Sequence, residues 1–100
     1  MRESTIEKYL VKRVKELGGE VRKVKWIGRR GAPDRFVMLP ITKTRTPTPL
    51  RIITHAIWIE LKAPGEKAKP YQAREHERMR AMGQRIEVVD SIERVEEVLA

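Results

Sequence analysis

The chain has 100 residues, of which 40% are hydrophobic and 36% are charged. This length supports one hydrophobic core, so we expect a single domain over residues 1–100. The absence of cysteine excludes disulfides and thiolate zinc sites, and no apolar run reaches the roughly 18 residues of a membrane span. We expect a cytoplasmic, intracellular protein without a membrane partner, because "MRESTIEKYL" lacks a signal-peptide stretch. The net charge of +8 indicates a polyanion partner.

The first part of the chain is predicted to form a helix and a strand. Residues 5–17 carry apolar residues at helical spacing, and two glycines follow as a stop. Glu7 falls within the buried sector of this helix, which is an unusual position for a carboxylate. One explanation is structural, because Ser4 and Glu7 have the spacing of a capping box. Residues 20–27 then follow the pattern of a strand.

The middle of the chain is predicted to form two strands joined by a long connection. "GRRGAP" reads as a loop, and "DRFVML" begins a strand directly at Asp34. Residues 40–50 contain three prolines and four threonines, so they form a connection in which we expect disorder at the tip. The next strand is apolar up to Glu60 and ends at Pro64-Gly65. Glu60 and Lys62 are two residues apart and therefore share one face of that strand.

The last third is predicted to form a helix, a strand and a second helix. The first helix begins at Pro70, a favoured first-turn residue, and stops at Gly83. Three of its residues are predicted to face inward: Tyr71, Met79 and Met82. "RIEVV" is a short strand, and the final helix begins near Asp90, which has capping-box spacing to Glu93. The predicted order of elements is αβββαβα.

Asp34, Glu60 and Lys62 form a constellation suited to phosphodiester chemistry. Two carboxylates on neighbouring strands can converge on one hard divalent cation, Mg²⁺ or Mn²⁺, which prefers oxygen ligands. Such an ion polarises a scissile phosphate, and Lys62 can contact the same phosphate, orient the attacking water or act as its base. The structural alternative is that Glu60 and Lys62 form a surface ion pair while Asp34 caps a turn.

"GAPD" followed by "IELK" resembles the PD-(D/E)xK nuclease superfamily, and the wider frame resembles its VRR-NUC branch, which includes small phage nucleases. The resemblance implies a restriction-endonuclease-like α/β fold with a mixed central sheet flanked by helices. Gln72 matches the glutamine after the ExK motif, and Glu7 matches the first-helix glutamate that this branch shares with archaeal Holliday junction resolvases. The implied metal ligands are Asp34, Glu60, Glu7 and the Leu61 carbonyl. The implied catalytic residues are Asp34, Glu60, Lys62, Glu7 and Gln72.

The expected substrate is DNA, and four basic residues near the motifs are expected to contact its phosphates: Arg29, Arg30, Lys67 and Lys69. A solvated basic turn is the alternative for the two arginines. Gln72 can equally serve to tie down a loop by hydrogen bonds. Trp26 and Trp58 are expected to be core-edge aromatics rather than base-stacking platforms.

The resemblance favours a metal-dependent endonuclease that acts on branched DNA, with the four-way junction as the preferred substrate. A junction requires two symmetry-related nicks, so we expect a homodimer. A phage-encoded protein in a bacterial host fits this interpretation. The alternatives are a flap- or single-strand-selective nuclease, a basic nucleic-acid-binding module without catalysis, and an adaptor that binds proteins.

Overall fold

The computed structural model describes residues 1–40 and 55–100, in which three helices and four strands follow the predicted order. They are α1 (Glu3–Glu16), β1 (Glu20–Lys23), β2 (Arg35–Met38), β3 (Ala56–Leu61), α2 (Pro70–Ala81), β4 (Arg85–Val89) and α3 (Ile92–Leu99). Most of the proline- and threonine-rich connection predicted to be disordered lies outside the described residues. No helix of the described part is long and apolar enough to cross a membrane.

The strands form one mixed sheet in the order β1-β2-β3-β4. The pairs β1–β2 and β2–β3 are antiparallel, whereas β3 and β4 are parallel and are connected through α2. The expected α/β fold with a mixed central sheet is therefore confirmed. Because β3 lies between β2 and β4, its backbone is hydrogen-bonded on both sides, and side chains at its end are held by a well-paired strand.

The alternating side chains of β3 divide the sheet into two faces. Ile57, Ile59 and Leu61 join the hydrophobic core, which also contains buried residues of α1 and α3. Trp58 and Glu60 point to the opposite face, on which α2 packs through buried residues that include His76. This alternation places Glu60 beneath α2 and away from the main core.

The structure corrects the N-terminal boundaries. Helix α1 begins at Glu3, its N-cap is Arg2, and no side chain caps it, so Ser4 and Glu7 lie inside the helix. The capping-box explanation for Glu7 is therefore wrong. Strand β1 ends at Lys23 and does not reach residue 27, and Ile27 is 92% exposed. Apolar residues after β1 belong to a loop, which an apolar pattern alone cannot distinguish from a strand.

Two expectations about the C-terminal half are also corrected. Ser91, not Asp90, is the N-cap of α3, because its hydroxyl accepts a 3.0 Å hydrogen bond from the backbone N–H of Arg94. Met82 was expected to face inward, but α2 ends at Ala81 and Met82 is 71% exposed. Gly83 follows with a φ of +86°, a conformation that favours glycine and ends the helix as predicted.

Candidate active site

The strand register brings Asp34 and Glu60 to adjacent strand ends. Arg35 pairs with Ile59 across the antiparallel β2–β3 ladder, so the next step of the register places Asp34 opposite Glu60. The carbonyl of Asp34 accepts a 2.9 Å hydrogen bond from the backbone N–H of Val24, which fixes this end of β2 against the chain after β1. The two carboxylates predicted as metal ligands are thus neighbours on one face of the sheet.

Glu60 is a buried carboxylate without an ion-pair partner in the described part of the chain. Burial raises the pKa of Glu60 to about 7; the charge of Lys62 opposes this rise, and that of Asp34 adds to it. Nε2 of His76 lies 3.4 Å from Glu60 Oε1, yet this nitrogen has no hydrogen-bond partner. Because burial also lowers the pKa of His76, the contact involves a neutral imidazole and does not neutralise the carboxylate.

Lys62 is buried beside Glu60 but is bonded to Gln72. Its Nζ donates a 2.8 Å hydrogen bond to Oε1 of Gln72. The same oxygen accepts a 2.9 Å bond from the backbone N–H of Lys69, at the start of α2. Gln72 therefore ties down the loop before α2 and also contacts the lysine, while its role in the site stays a prediction. Glu60 and Lys62 are each only 9% exposed and form no ion pair with each other, so the surface ion-pair alternative is wrong.

Arg35 connects Asp34 to Glu7. Its Nη1 lies 2.9 Å from Oδ1 of Asp34, and its Nε donates a 2.6 Å hydrogen bond to Oε2 of Glu7. The structure thus brings Glu7 to the edge of the site through a guanidinium and not directly. Sequence reasoning missed Arg35, although its position immediately after Asp34 in "PDR" was a usable signal.

The donor set fits a hard cation held largely by oxygen atoms. Asp34 and Glu60 supply two carboxylates on one face, and the unpaired buried carboxylate of Glu60 is the kind of group that a cation would stabilise. Within residues 1–40 and 55–100, no three His, Asp or Glu side chains are grouped so as to hold one ion. A cation here would therefore need backbone or water ligands in addition, and the Leu61 carbonyl is the nearest candidate by sequence.

Glu75 of α2 anchors the loop that leads to Asp34. Its side chain is only 4% exposed and accepts 2.8 Å bonds from Nε and Nη2 of Arg29, while Arg78 approaches from the next turn of the helix. Hydrogen bonds from Arg29 and Arg78 hold the pKa of Glu75 at about 2, against the opposing effect of burial. Gly31 packs at φ +88° where an added Cβ would lie 3.0 Å from the carbonyl of Tyr71.

The four basic residues expected to contact DNA do not share one environment. Arg29 is paired with Glu75, and the guanidinium carbon of Arg30 lies 4.1 Å from the ring centroid of Tyr71. Both arginines are exposed residues of the loop before β2, and these contacts connect that loop to α2. Lys67 and Lys69 are exposed in the loop before α2 and remain available to a polyanion.

Two comparisons with known proteins bear on the fold and the family of this chain. A solved structure described as a VRR_NUC domain superposes with a TM-score of 0.76 and 36% sequence identity, covering 97% of this chain and 92% of that chain. "Putative nuclease p44" of Acyrthosiphon pisum secondary endosymbiont phage 1 is 46% identical over 91 residues, which is 91% of this chain and 85% of that protein. No family model matches the chain.

The fold, with paired carboxylates and a lysine at the ends of neighbouring strands, defines a nuclease domain of the restriction-endonuclease-like class. Within that class, the chain belongs to the VRR-NUC nuclease family.

Proposed function

We propose that the protein is a DNA endonuclease that requires Mg²⁺ or Mn²⁺ and hydrolyses phosphodiester bonds at the Asp34–Glu60 site. The observation that carries this proposal is the register that places Asp34 opposite the buried Glu60. In this proposal Asp34, Glu60 and the Leu61 carbonyl hold the cation. A bound divalent cation would polarise the scissile phosphate and favour deprotonation of the attacking water.

Lys62 is the proposed contact to the scissile phosphate. Its ammonium shares a face of β3 with Glu60, and its hydrogen bond to Gln72 restricts where Nζ can lie. An ammonium positioned in this way stabilises the negative charge that accumulates on a phosphate oxygen during hydrolysis. Gln72 is accordingly a positioning residue, because it acts on the reaction through Lys62.

Glu7 is assigned an indirect role. Its carboxylate is engaged by Arg35, which also contacts Asp34, so the three side chains form a chain that ends at a proposed ligand. Partners that orient ligating carboxylates in this way tune metal binding. We therefore place Glu7 outside the direct ligand set that the family resemblance implied.

The decisive experiment is cleavage of end-labelled DNA in EDTA, Mg²⁺ and Mn²⁺ by the unmodified protein and by Asp34→Asn and Glu60→Gln. We expect cleavage only with a metal, and loss of cleavage with retained DNA binding in both variants, because binding rests mainly on the 22 basic residues. Glu93→Gln, at an exposed position of α3, is the matched control and keeps activity. Binding without cleavage by the unmodified protein under every metal condition would instead support a noncatalytic module.

We further propose that four-way junctions are the favoured substrate and that a homodimer cleaves them. One chain has one such site, whereas a junction is resolved by two nicks related by two-fold symmetry. Light scattering should give about twice the chain mass of 11.7 kDa, and junctions should be cut by paired nicks in opposing strands. A monomer that prefers flaps or single strands would refute the junction proposal and leave the nuclease proposal standing.

A further inference from the structure

An open groove beside Asp34 is lined by one aromatic and several basic residues. The groove has a volume of about 560 Å³, and its walls include Trp26, Lys23, Lys25 and Arg29. Asp34 lines the same groove, so the space leads directly to a residue of the proposed metal site. Of these basic residues, only Arg29 also helps to assemble the site, through its bond to Glu75.

The indole of Trp26 is held in a fixed orientation at this groove. Its Nε1 donates a 2.8 Å hydrogen bond to the carbonyl of Pro33, the residue before Asp34. Its ring centroid lies 5.1 Å from that of Trp58, which in turn packs 4.4 Å from Phe36. The ring is only partly buried and therefore offers aromatic surface to the groove. Trp26 was expected at the edge of the core, but it packs instead on Trp58, on the face of the sheet opposite the main core.

The charges of the groove complement a phosphodiester chain. Lys23 and Lys25 are exposed and form no ion pair or hydrogen bond through their side chains in the described part of the structure. The guanidinium of Arg29 is bonded to Glu75, but its side chain remains 48% exposed. Positive side chains that follow a groove, together with an aromatic ring, are the combination that binds single-stranded nucleic acid.

We propose that this groove binds an unpaired nucleotide next to the cleaved phosphate, with its base stacked on Trp26 and its flanking phosphates on Lys23 and Lys25. The base must be unpaired or unstacked, because in an intact duplex each base face is covered by its neighbours and only edges are accessible. The nucleotide comes either from the branch point of a junction or from a single-stranded flap. This inference rests on the proposed function, since Asp34 places the groove beside the cleaved bond.

Fluorescence provides a direct test, because the chain has two tryptophans. In Trp58→Phe, Trp26 is the sole indole, and a base stacked on it should quench its emission. The probes, added in EDTA, are an oligothymidylate, an abasic oligonucleotide of equal length and charge, a blunt duplex, a four-way junction and a flap. We expect quenching by the oligothymidylate and by at least one branched substrate, but not by the abasic strand or the duplex.

The branched probes identify the source of the nucleotide. Quenching by the junction assigns it to the branch point, and quenching by the flap alone assigns it to the single-stranded tail. Equal quenching by the abasic strand or by the blunt duplex would overturn the proposal, because phosphate contacts would then suffice. An absence of quenching by every probe, although all of them bind, would overturn it as well.

Affinity measurements on the otherwise unmodified chain keep the proposal testable if Trp58→Phe does not fold. Trp26→Leu should weaken oligothymidylate binding by about 5- to 100-fold, whereas Trp26→Phe, which keeps an aromatic face, should bind nearly as the unmodified protein does. Neither change should alter the salt slope. The double change Lys23→Gln and Lys25→Gln should instead reduce that slope by about 1.4, the value for two phosphate contacts on a single strand. Equal binding by Trp26→Leu and Trp26→Phe would refute base stacking.

Failure of this inference is distinguishable from failure of the proposed function. If the unmodified protein cleaves DNA with Mg²⁺ or Mn²⁺, but the oligothymidylate does not quench Trp58→Phe and binds Trp26→Leu as tightly as Trp26→Phe, only the groove assignment is wrong. If no DNA is cleaved with either metal, the proposed function fails, whatever the tryptophan shows.

Discussion

Replacing Glu60 by glutamine should stabilise the metal-free protein near neutral pH and abolish cleavage at the same time. Burial raises the pKa of Glu60 from 4.5 to about 7, a difference that corresponds to about 3 kcal/mol of unfolding free energy. No large correction for solvent screening applies, because the residue is only 9% exposed. Glutamine has the same shape without the charge, so it removes this cost from the folded state.

The sign follows from the direction of the shift. A carboxyl whose folded pKa is raised contributes stability that is fully present below about pH 4.5 and is lost as the pH rises through about 7. His76 acts in the opposite direction, because burial lowers its pKa and its neutral form is favoured as the pH rises. The total pH profile therefore mixes two groups, whereas the difference between the unmodified protein and Glu60→Gln isolates the carboxyl.

The assay is urea unfolding in EDTA at several values between about pH 5 and about pH 8, followed by circular dichroism. We expect the stability advantage of Glu60→Gln over the unmodified protein to grow with pH over this range and to reach about 3 kcal/mol at about pH 8. Glu93→Gln, at an exposed position, should show no such gain. A difference between Glu60→Gln and the unmodified protein that stays constant with pH would refute the assignment of a raised pKa to Glu60.

Addition of Mg²⁺ extends the same test to the proposed ligand set. A cation at 100 times its dissociation constant stabilises a folded protein by about 3 kcal/mol. At about pH 8 the unmodified protein should therefore regain what the buried carboxylate costs, whereas Glu60→Gln should not respond. Equal stabilisation of both proteins by Mg²⁺ would place the metal elsewhere.

Three further substitutions probe the residues around the site. Gln72→Ala should reduce cleavage by about 10- to 100-fold while calorimetry still detects metal binding, because the glutamine positions the lysine and not the cation; loss of metal binding would contradict this role. Glu75→Gln should remove a stability contribution that is present above about pH 4.5 and is lost toward pH 2, so its unfolding free energy should depend less on pH in acid than that of the unmodified protein. An unchanged pH dependence would show that the bond from Arg29 does not lower the pKa of Glu75. Glu7→Gln should weaken metal binding less than Asp34→Asn does, with unchanged metal stoichiometry in titration calorimetry; loss of one bound ion would make Glu7 a direct ligand.

Elements with strong local signals could be predicted from the sequence. "RIEVV" forms β4 over Arg85–Val89, and α2 begins at Pro70, because proline and alternating β-branched residues restrict the backbone locally. The end of β1 could not be predicted, since Trp26 continues an apolar pattern. The position of Trp26 is determined by its hydrogen bond to Pro33 and by its packing on Trp58, and both are tertiary contacts.

The same distinction holds within the site. The neighbouring positions of Asp34 and Glu60 could be anticipated, because they require only that two consecutive strands pair. The contact between Arg29 and Glu75 spans 46 positions and joins a loop to the face of a helix, so no local pattern encodes it. Glu75 shows only the i,i+3 spacing to Arg78 that is common on exposed helices.

At the end of β3, the buried Glu60 and Lys62, which follows the strand directly, lie close together without neutralising each other. Lys62 is bonded to the neutral Gln72, and Glu60 faces a neutral imidazole, so neither residue contacts a side chain of opposite charge. A mutual ion pair would satisfy both groups and leave neither available to a ligand. Their separation therefore costs stability in the free protein, but under the proposed function it leaves the carboxylate available to a cation and the ammonium available to a phosphate. These are the two ligands that a metal-dependent phosphodiesterase must bring together.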